Sequence, residues 1–231
     1  MQKFLQIFKI PDIRKKIFIV LGFLILFRLL AAIPIPGIDV LRLKEFLAQS
    51  QLLGFFNIIS GGGLSNLSIM MLGVGPYITA TIIMQLLTMI FPKMKQLYYE
   101  EGAAGRAKMN KISRYITVPL ALLQGYAFLN LLARQGVLPD LGGLALIQNL
   151  ILITTGSLIL MWIGELVSEQ KIGNGISLII FAGIVVGFPQ LIQQRYASYT
   201  PTLLTTYVAF ALLAVLIIAG IVFISEGEHK V

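Results

Sequence analysis

The chain of 231 residues is 57% hydrophobic and 12% charged, with a mean hydropathy of +0.88. A water-soluble domain carries about a quarter charged residues, so the composition excludes one and points to an integral membrane protein. The absence of cysteine removes disulfides, thiol nucleophiles and zinc–thiolate sites. The net charge of +8 lies beside apolar stretches rather than among exposed aromatics, so nucleic acid is not an expected partner.

In chain order, six apolar stretches can cross a bilayer: 17–32, 69–91, 116–133, 144–164, 175–192 and 203–224. The predicted fold class is therefore an all-α, polytopic transmembrane helix bundle. Basic residues set its orientation. Lys3, Lys9, Arg14, Lys15 and Lys16 precede the first span, and Lys93, Lys95, Arg106, Lys108, Lys111 and Arg114 lie between the second and third. Lys171 and Lys230 fall on that same side, against Arg42, Lys44, Arg134 and Arg195 on the other. Residues 1–16 are thus expected in the cytoplasm. The first span is not a cleavable signal peptide, because Arg28 interrupts it and Ile33-Pro34-Ile35-Pro36 follows in place of a small-residue cleavage pattern. Those prolines force extended backbone and end the helix. The loop 93–114, with both charge signs and Gly102 and Gly105, reads as an exposed turn.

Positions 46–92 carry no charge at all, a run more than twice the ~20 residues one crossing needs. Gly61-Gly62-Gly63 breaks it near the middle, and the QLLGFFNII segment upstream makes a helix of only roughly 14 Å. A half-helix at membrane depth is tolerated where it is buried in protein or lines a watery cavity. The fold therefore acquires a short re-entrant half-helix, and the protein something to pass or to block.

Catalytic chemistry finds no support. The single histidine, His229, stands near the chain end, and Asp12, Asp39 and Asp140 fall in flanks or loops. No serine–histidine pair lies at membrane depth, and the glycine cluster lacks the lysine of a phosphate loop. Catalytic, metal and cofactor sites are accordingly expected to be absent. Arg28 and Glu165 are the ionisable residues nearest the midplane. Glu165 reads as a solvated helix-end charge, while Arg28 either snorkels or pairs with a neighbouring helix. Gly183 and Gly187 form a GxxxG pair suited to close helix approach. Gln85 and Gln124 either make an interhelical hydrogen bond or line a pore or seam.

Several of these segments, in order, resemble the SecY family of protein-conducting channels. Phe27-Arg28 and Ile33-Pro34-Ile35-Pro36-Gly37-Ile38-Asp39 resemble the end of that family's first helix. Phe56-Asn57-Ile58-Ile59-Ser60-Gly61-Gly62 resembles its plug, and Gly75-Pro76-Tyr77-Ile78-Thr79-Ala80 leading to Gln85-Leu86-Leu87-Thr88 its second helix. Glu101-Gly102 with Gly105-Arg106 matches its first large cytoplasmic loop, and Gly173-Asn174-Gly175-Ile176-Ser177 with Phe181-Ala182-Gly183-Ile184-Val185 its fifth helix. The resemblance implies a plug at about 53–66, including Phe55, Phe56, Asn57, Ile58, Ile59, Ser60, Gly61, Gly62 and Gly63, beneath an hourglass pore. It implies a waist of branched apolar side chains to which Val74, Ile78, Ile176 and Ile180 contribute, and it makes Gln85 and Gln124 polar candidates at a lateral gate. The members of each ring pair are four apart and so share a helix face. A narrow apolar ring dewets and resists ions.

The resemblance covers residues 17–200 as the family's first half, with 201–231 as the sixth span and the start of the following loop. A truncated product, inactive alone, is expected, with a half-length protein pairing with a second chain as the rival. In the complete channel the role would be to pass unfolded preproteins across the membrane and transmembrane segments into it. The implied partners are SecE-like and SecG-like small subunits, the SecA motor or a ribosome, preproteins and the lipid bilayer, with the bacterial inner membrane as location. A small-solute transporter or structural membrane subunit is the alternative.

Overall fold

The computed structural model describes residues 11–36, 43, 57, 63–64, 67–138, 142–197 and 204–226. Helices dominate: α1 Pro11–Ala31, α2 Gly75–Ile90, α3 Pro92–Tyr99, α4 Gly102–Arg134, α5 Gly143–Glu169, α6 Gly175–Ala197 and α7 Leu204–Glu226. Among the described residues the only strand-like pairing is an isolated bridge between Pro34 and Ser68. The plug residues Phe55, Phe56, Ile58, Ile59, Ser60, Gly61 and Gly62, like Lys3, Lys9 and His229, lie outside the described residues. The chain divides into one unit through Gly187 and a second from Phe188.

α1 begins with Pro11 and Asp12, a proline preset for the first turn and a carboxylate that suits the positive end of the helix. It ends where Ile33-Pro34 forces extended backbone. There the Ile35 amide donates to the Leu67 carbonyl (2.9 Å) and the Ile69 amide to the Ile33 carbonyl (3.2 Å). These two bonds tie the end of α1 to the segment that leads into α2.

The second span differs from expectation at its start. Residues 69–74 form successive turns, and the helix begins only at Gly75, with Pro76 in its first turn. At its other end α2 meets α3 at a bend of 110°. The cause is local: Phe91 precedes Pro92, which pushes it into extended backbone, and it adopts φ −102°, ψ 114°.

The segment 93–114 is not the turn expected. Most of it is helix, in α3 and in the first turns of α4. Gly105 acts as a contact point and not a breaker, since a Cβ there would lie 1.7 Å from the Leu97 carbonyl oxygen. α4 has 33 residues, about 50 Å, and so outruns the ~30 Å hydrocarbon core by several turns. Its buried residues Gly105, Met109, Ser113, Thr117, Ala121, Gly125 and Leu129 recur every four positions. This row of mostly small side chains packs against α2, α3 and α5. Apolar helices in lipid gain little from hydrophobic transfer, so close packing by small residues does the joining.

Two apolar clusters result. One joins Ile35, Leu64, Leu67 and Met71 to Leu129, Leu132 and Val137, where α1 and α4 end. The other joins Val20, Phe27 and Ala31 of α1 to Leu160, Ile163 and Val167 of α5. Among the described residues α4, α5 and Leu204–Ser225 of α7 are each long and apolar enough to cross a membrane, and α2 with α3 makes a fourth when the bent pair is taken as one span. α1 carries Arg14, Lys15 and Lys16 in its first turns, and the apolar part of α6, Gly175–Pro189, is shorter. Within the second unit α7 has no charged residue before Glu226.

Candidate functional site

The ring candidates are positioned by α5. Gly156 leaves room for backbone: a Cβ there would sit 1.9 Å from the Ile69 carbonyl oxygen. The next residue, Ser157, donates its hydroxyl to the Gly73 carbonyl at 3.1 Å. Gly73 adopts φ +58°, a conformation glycine tolerates freely. These contacts seat the turns 69–74 on α5 and bring Val74 to the start of α2. The Ile78 amide then bonds the Val74 carbonyl at 3.0 Å, closing the first helical turn.

A second seat lies two turns further along α5. Here the Gly175 amide donates to the Ser168 hydroxyl at 2.8 Å, and that hydroxyl donates to the Gly164 carbonyl at 2.9 Å. Asn174 caps α6 by accepting from the amides of Ile176 (3.0 Å) and Ser177 (3.3 Å), as N-cap asparagines do. Ile176 Cδ1 lies directly over Gly164, 2.3 Å from where a Cβ would be.

Val74, Ile78, Ile176 and Ile180 thereby meet in the α1–α5 apolar cluster. They do not meet on equal terms. Val74 precedes the helix as its N-cap and is 4% exposed, whereas Ile78, one turn on, is half-buried. Ile78, Ile176 and Ile180 line a cavity of about 660 Å³. Its polar wall comprises Tyr77, Thr81, Gln85, Asn110, Arg114, Glu165, Ser168, Glu169, Asn174 and Ser177. A shallower depression of about 730 Å³ is lined, among the described residues, by Pro11, Arg14, Lys15, Phe18 and Ile19 of α1.

Glu165 is not the solvated charge that its place at a helix end suggested. Arg114 Nε donates to Glu165 Oε1 at 2.6 Å, and the Glu165 side chain is only 15% exposed. Sequence reading missed the pair because its members stand 51 positions apart. The available signal was one opposite charge at the same end of each of two antiparallel neighbouring spans. The glutamines separate: Gln124 donates to Thr79 Oγ1 at 3.5 Å, an α4–α2 contact, whereas Gln85 lines the cavity. The threonines of α2 turn their hydroxyls to their own backbone, Thr79 to Gly75, Thr81 to Ile78 and Thr88 to Gln85, so none of these three hydroxyls is presented bare. Arg28 is half-buried in the last turn of α1, Gly183 is buried and Gly187 faces open space. Of the plug candidates, Asn57 is half-buried and helical, and Gly63 is buried and accepts from the Ser68 amide at 2.8 Å.

Apolar helices packed through small residues around a half-polar cavity define a polytopic helical membrane protein. The family model described as SecY matches residues 68–231. Protein translocase subunit SecY of Synechocystis sp. is 40% identical over 233 residues, covering 100% of this chain and 52% of that protein. The same subunit of Corynebacterium glutamicum is 38% identical, and that of Synechococcus elongatus 39%, each over 100% of this chain and 54% of theirs. The chain belongs to the SecY family. It spans about half the length of these relatives.

Proposed function

We propose that this chain forms one half of a protein-conducting channel, the half that carries spans one to five of a SecY-type pore and a sixth span. In a complete channel it passes unfolded preproteins across the membrane and transmembrane segments into it. The reading rests on one observation above the others: Ile78, Ile176 and Ile180, drawn from two helices far apart in sequence, line one cavity together with polar side chains and pack against the apolar cluster that holds Val74. A water-filled vestibule narrowing to branched aliphatic side chains suits conduction of a polypeptide. The apolar waist resists ions and makes no sequence-specific hydrogen bond to what passes.

On this reading the six spans cross with the N-terminus in the cytoplasm of a bacterial cell membrane, the cavity opens on the basic, cytoplasmic side, and the segment about 53–66 is the plug. Gln85 belongs to the vestibule wall beside a lateral gate. Small SecE-like and SecG-like subunits would clasp the bundle, and SecA or a ribosome would supply the energy, so no catalytic role is assigned. The SecY relatives favour this reading over a small-solute transporter or a structural subunit. A photocrosslinker at position 78, in a membrane that supplies the rest of the channel, is expected to capture a stalled preprotein. Capture of lipid alone at that position would refute the proposal.

A further inference from the structure

We infer that the Arg114–Glu165 pair is a brace that sets the width of the cavity by holding the last turns of α5, and with them the first turn of α6, against α4. Two observations lead there. Glu165 adjoins Gly164, the residue on which Ile176 lies and whose carbonyl anchors Ser168 and, through it, the Gly175 amide. Whatever fixes Glu165 therefore also fixes where Ile176 projects. In addition, the pair is the one side-chain hydrogen bond between α4 and α5 among the described residues. The two hydroxyls of α4 that flank Arg114 are engaged within their own helix, Ser113 with the Met109 carbonyl (3.1 Å) and Thr117 with that of Ser113 (2.8 Å).

The chemistry suits a joint that must hold and also yield. A well-packed apolar contact would serve a purely static wall as well as an ion pair does. Arg114 is 50% exposed, so the pair sits where water can reach one partner. Such a pair opens by rehydrating its charges, at little cost compared with tearing apart a packed core. The brace can thus admit a wider chain and close again behind it. The loss of Glu165 charge should let α5 and α6 drift from α4 by a helix shift on the order of 1–2 Å.

The chain has no native cysteine, so spin labels can be placed at Lys111→Cys on α4 and Ile172→Cys beyond α5, both exposed. The distance distribution between them, measured in membranes by pulsed electron resonance, is expected to lengthen and broaden in Glu165→Gln and in Arg114→Gln. The charge swap Arg114→Glu with Glu165→Arg is expected to restore the narrow distribution. If Glu165→Gln fails to accumulate, Arg114→Gln and the swap decide. An unchanged distribution in the single variants, or a swap that folds without restoring it, overturns the brace. The consequence for conduction rests on the channel reading and is read separately, as ion leak in vesicles holding the completed translocase. A lengthened distance with unchanged leak retains the brace and overturns the role of Ile176 in the waist.

Discussion

The two arms that carry the ring candidates dock on the same helix, α5, and each is met there by a serine, yet they arrive with different backbone. The arm bearing Val74 arrives as irregular backbone. Its Gly73 carbonyl lies among apolar side chains and takes its hydrogen from Ser157, and its Ile69 carbonyl fills the space where Gly156 has no side chain. The arm bearing Ile176 arrives as the start of a helix that Asn174 caps, and α5 supplies one further acceptor, the Ser168 hydroxyl, for its Gly175 amide. What covers the open side of Gly164 is the Ile176 side chain, which can rotate away, while the closer backbone approach falls at Gly175, where a Cβ would meet the Gly164 carbonyl. Irregular backbone within a membrane protein must borrow hydrogen bonds from its host and so fixes the host's sequence. A helix needs only its first turn satisfied and tolerates adjustment.

The comparison breaks most sharply at the two glycines. Gly156→Ala drives a Cβ into the Ile69 backbone, and a loss of about 3 kcal/mol, the upper end of overpacking costs, is expected from reversible unfolding in detergent. Gly164→Ala meets side-chain atoms alone, Cδ1 and Cγ1 of Ile176 and Cδ1 of Ile179, and should lose about 1 kcal/mol in the same measurement. Equal losses would erase the distinction between the arms. A smaller effect sharpens it from the other side. Asn174→Ala removes the acceptor for two amides of α6 and should destabilise by about 1 kcal/mol, while Asn174→Asp, which keeps a capping oxygen, should not. A loss as large as that of Gly156→Ala would mean that α6 depends on its host as heavily as the irregular arm does.

Much of this was legible in the chain. The helices were readable because lipid demands long apolar runs, and the runs around Ile153 and Val215 have no competing interpretation. Val74 was harder. Spacing put it on a helix with Ile78, but Gly73 and Gly75 flank it and its turns persist only because Gly156 and Ser157 of another helix receive them. Gly102 and Gly105 read as breakers because glycine is a poor helix former. At Gly105 the tertiary gain, an approach to the Leu97 carbonyl that no other residue permits, outweighs that preference. Glu165 was read from its own helix alone, and a partner on α4 leaves no trace in local hydropathy. The four ring candidates followed from resemblance to a family, and no local pattern would have singled them out from ordinary packing residues.

The central claim is that Ile78, Ile176 and Ile180 face a watery vestibule while Val74 is buried in the apolar cluster against which they pack. Single cysteines at these four positions, exposed to a membrane-impermeant charged thiol reagent from the side bearing the basic residues, test it most directly. The account predicts modification at 78, 176 and 180, with 74 protected. Reaction of all four only with a lipid-soluble maleimide would place these side chains against the bilayer and contradict it.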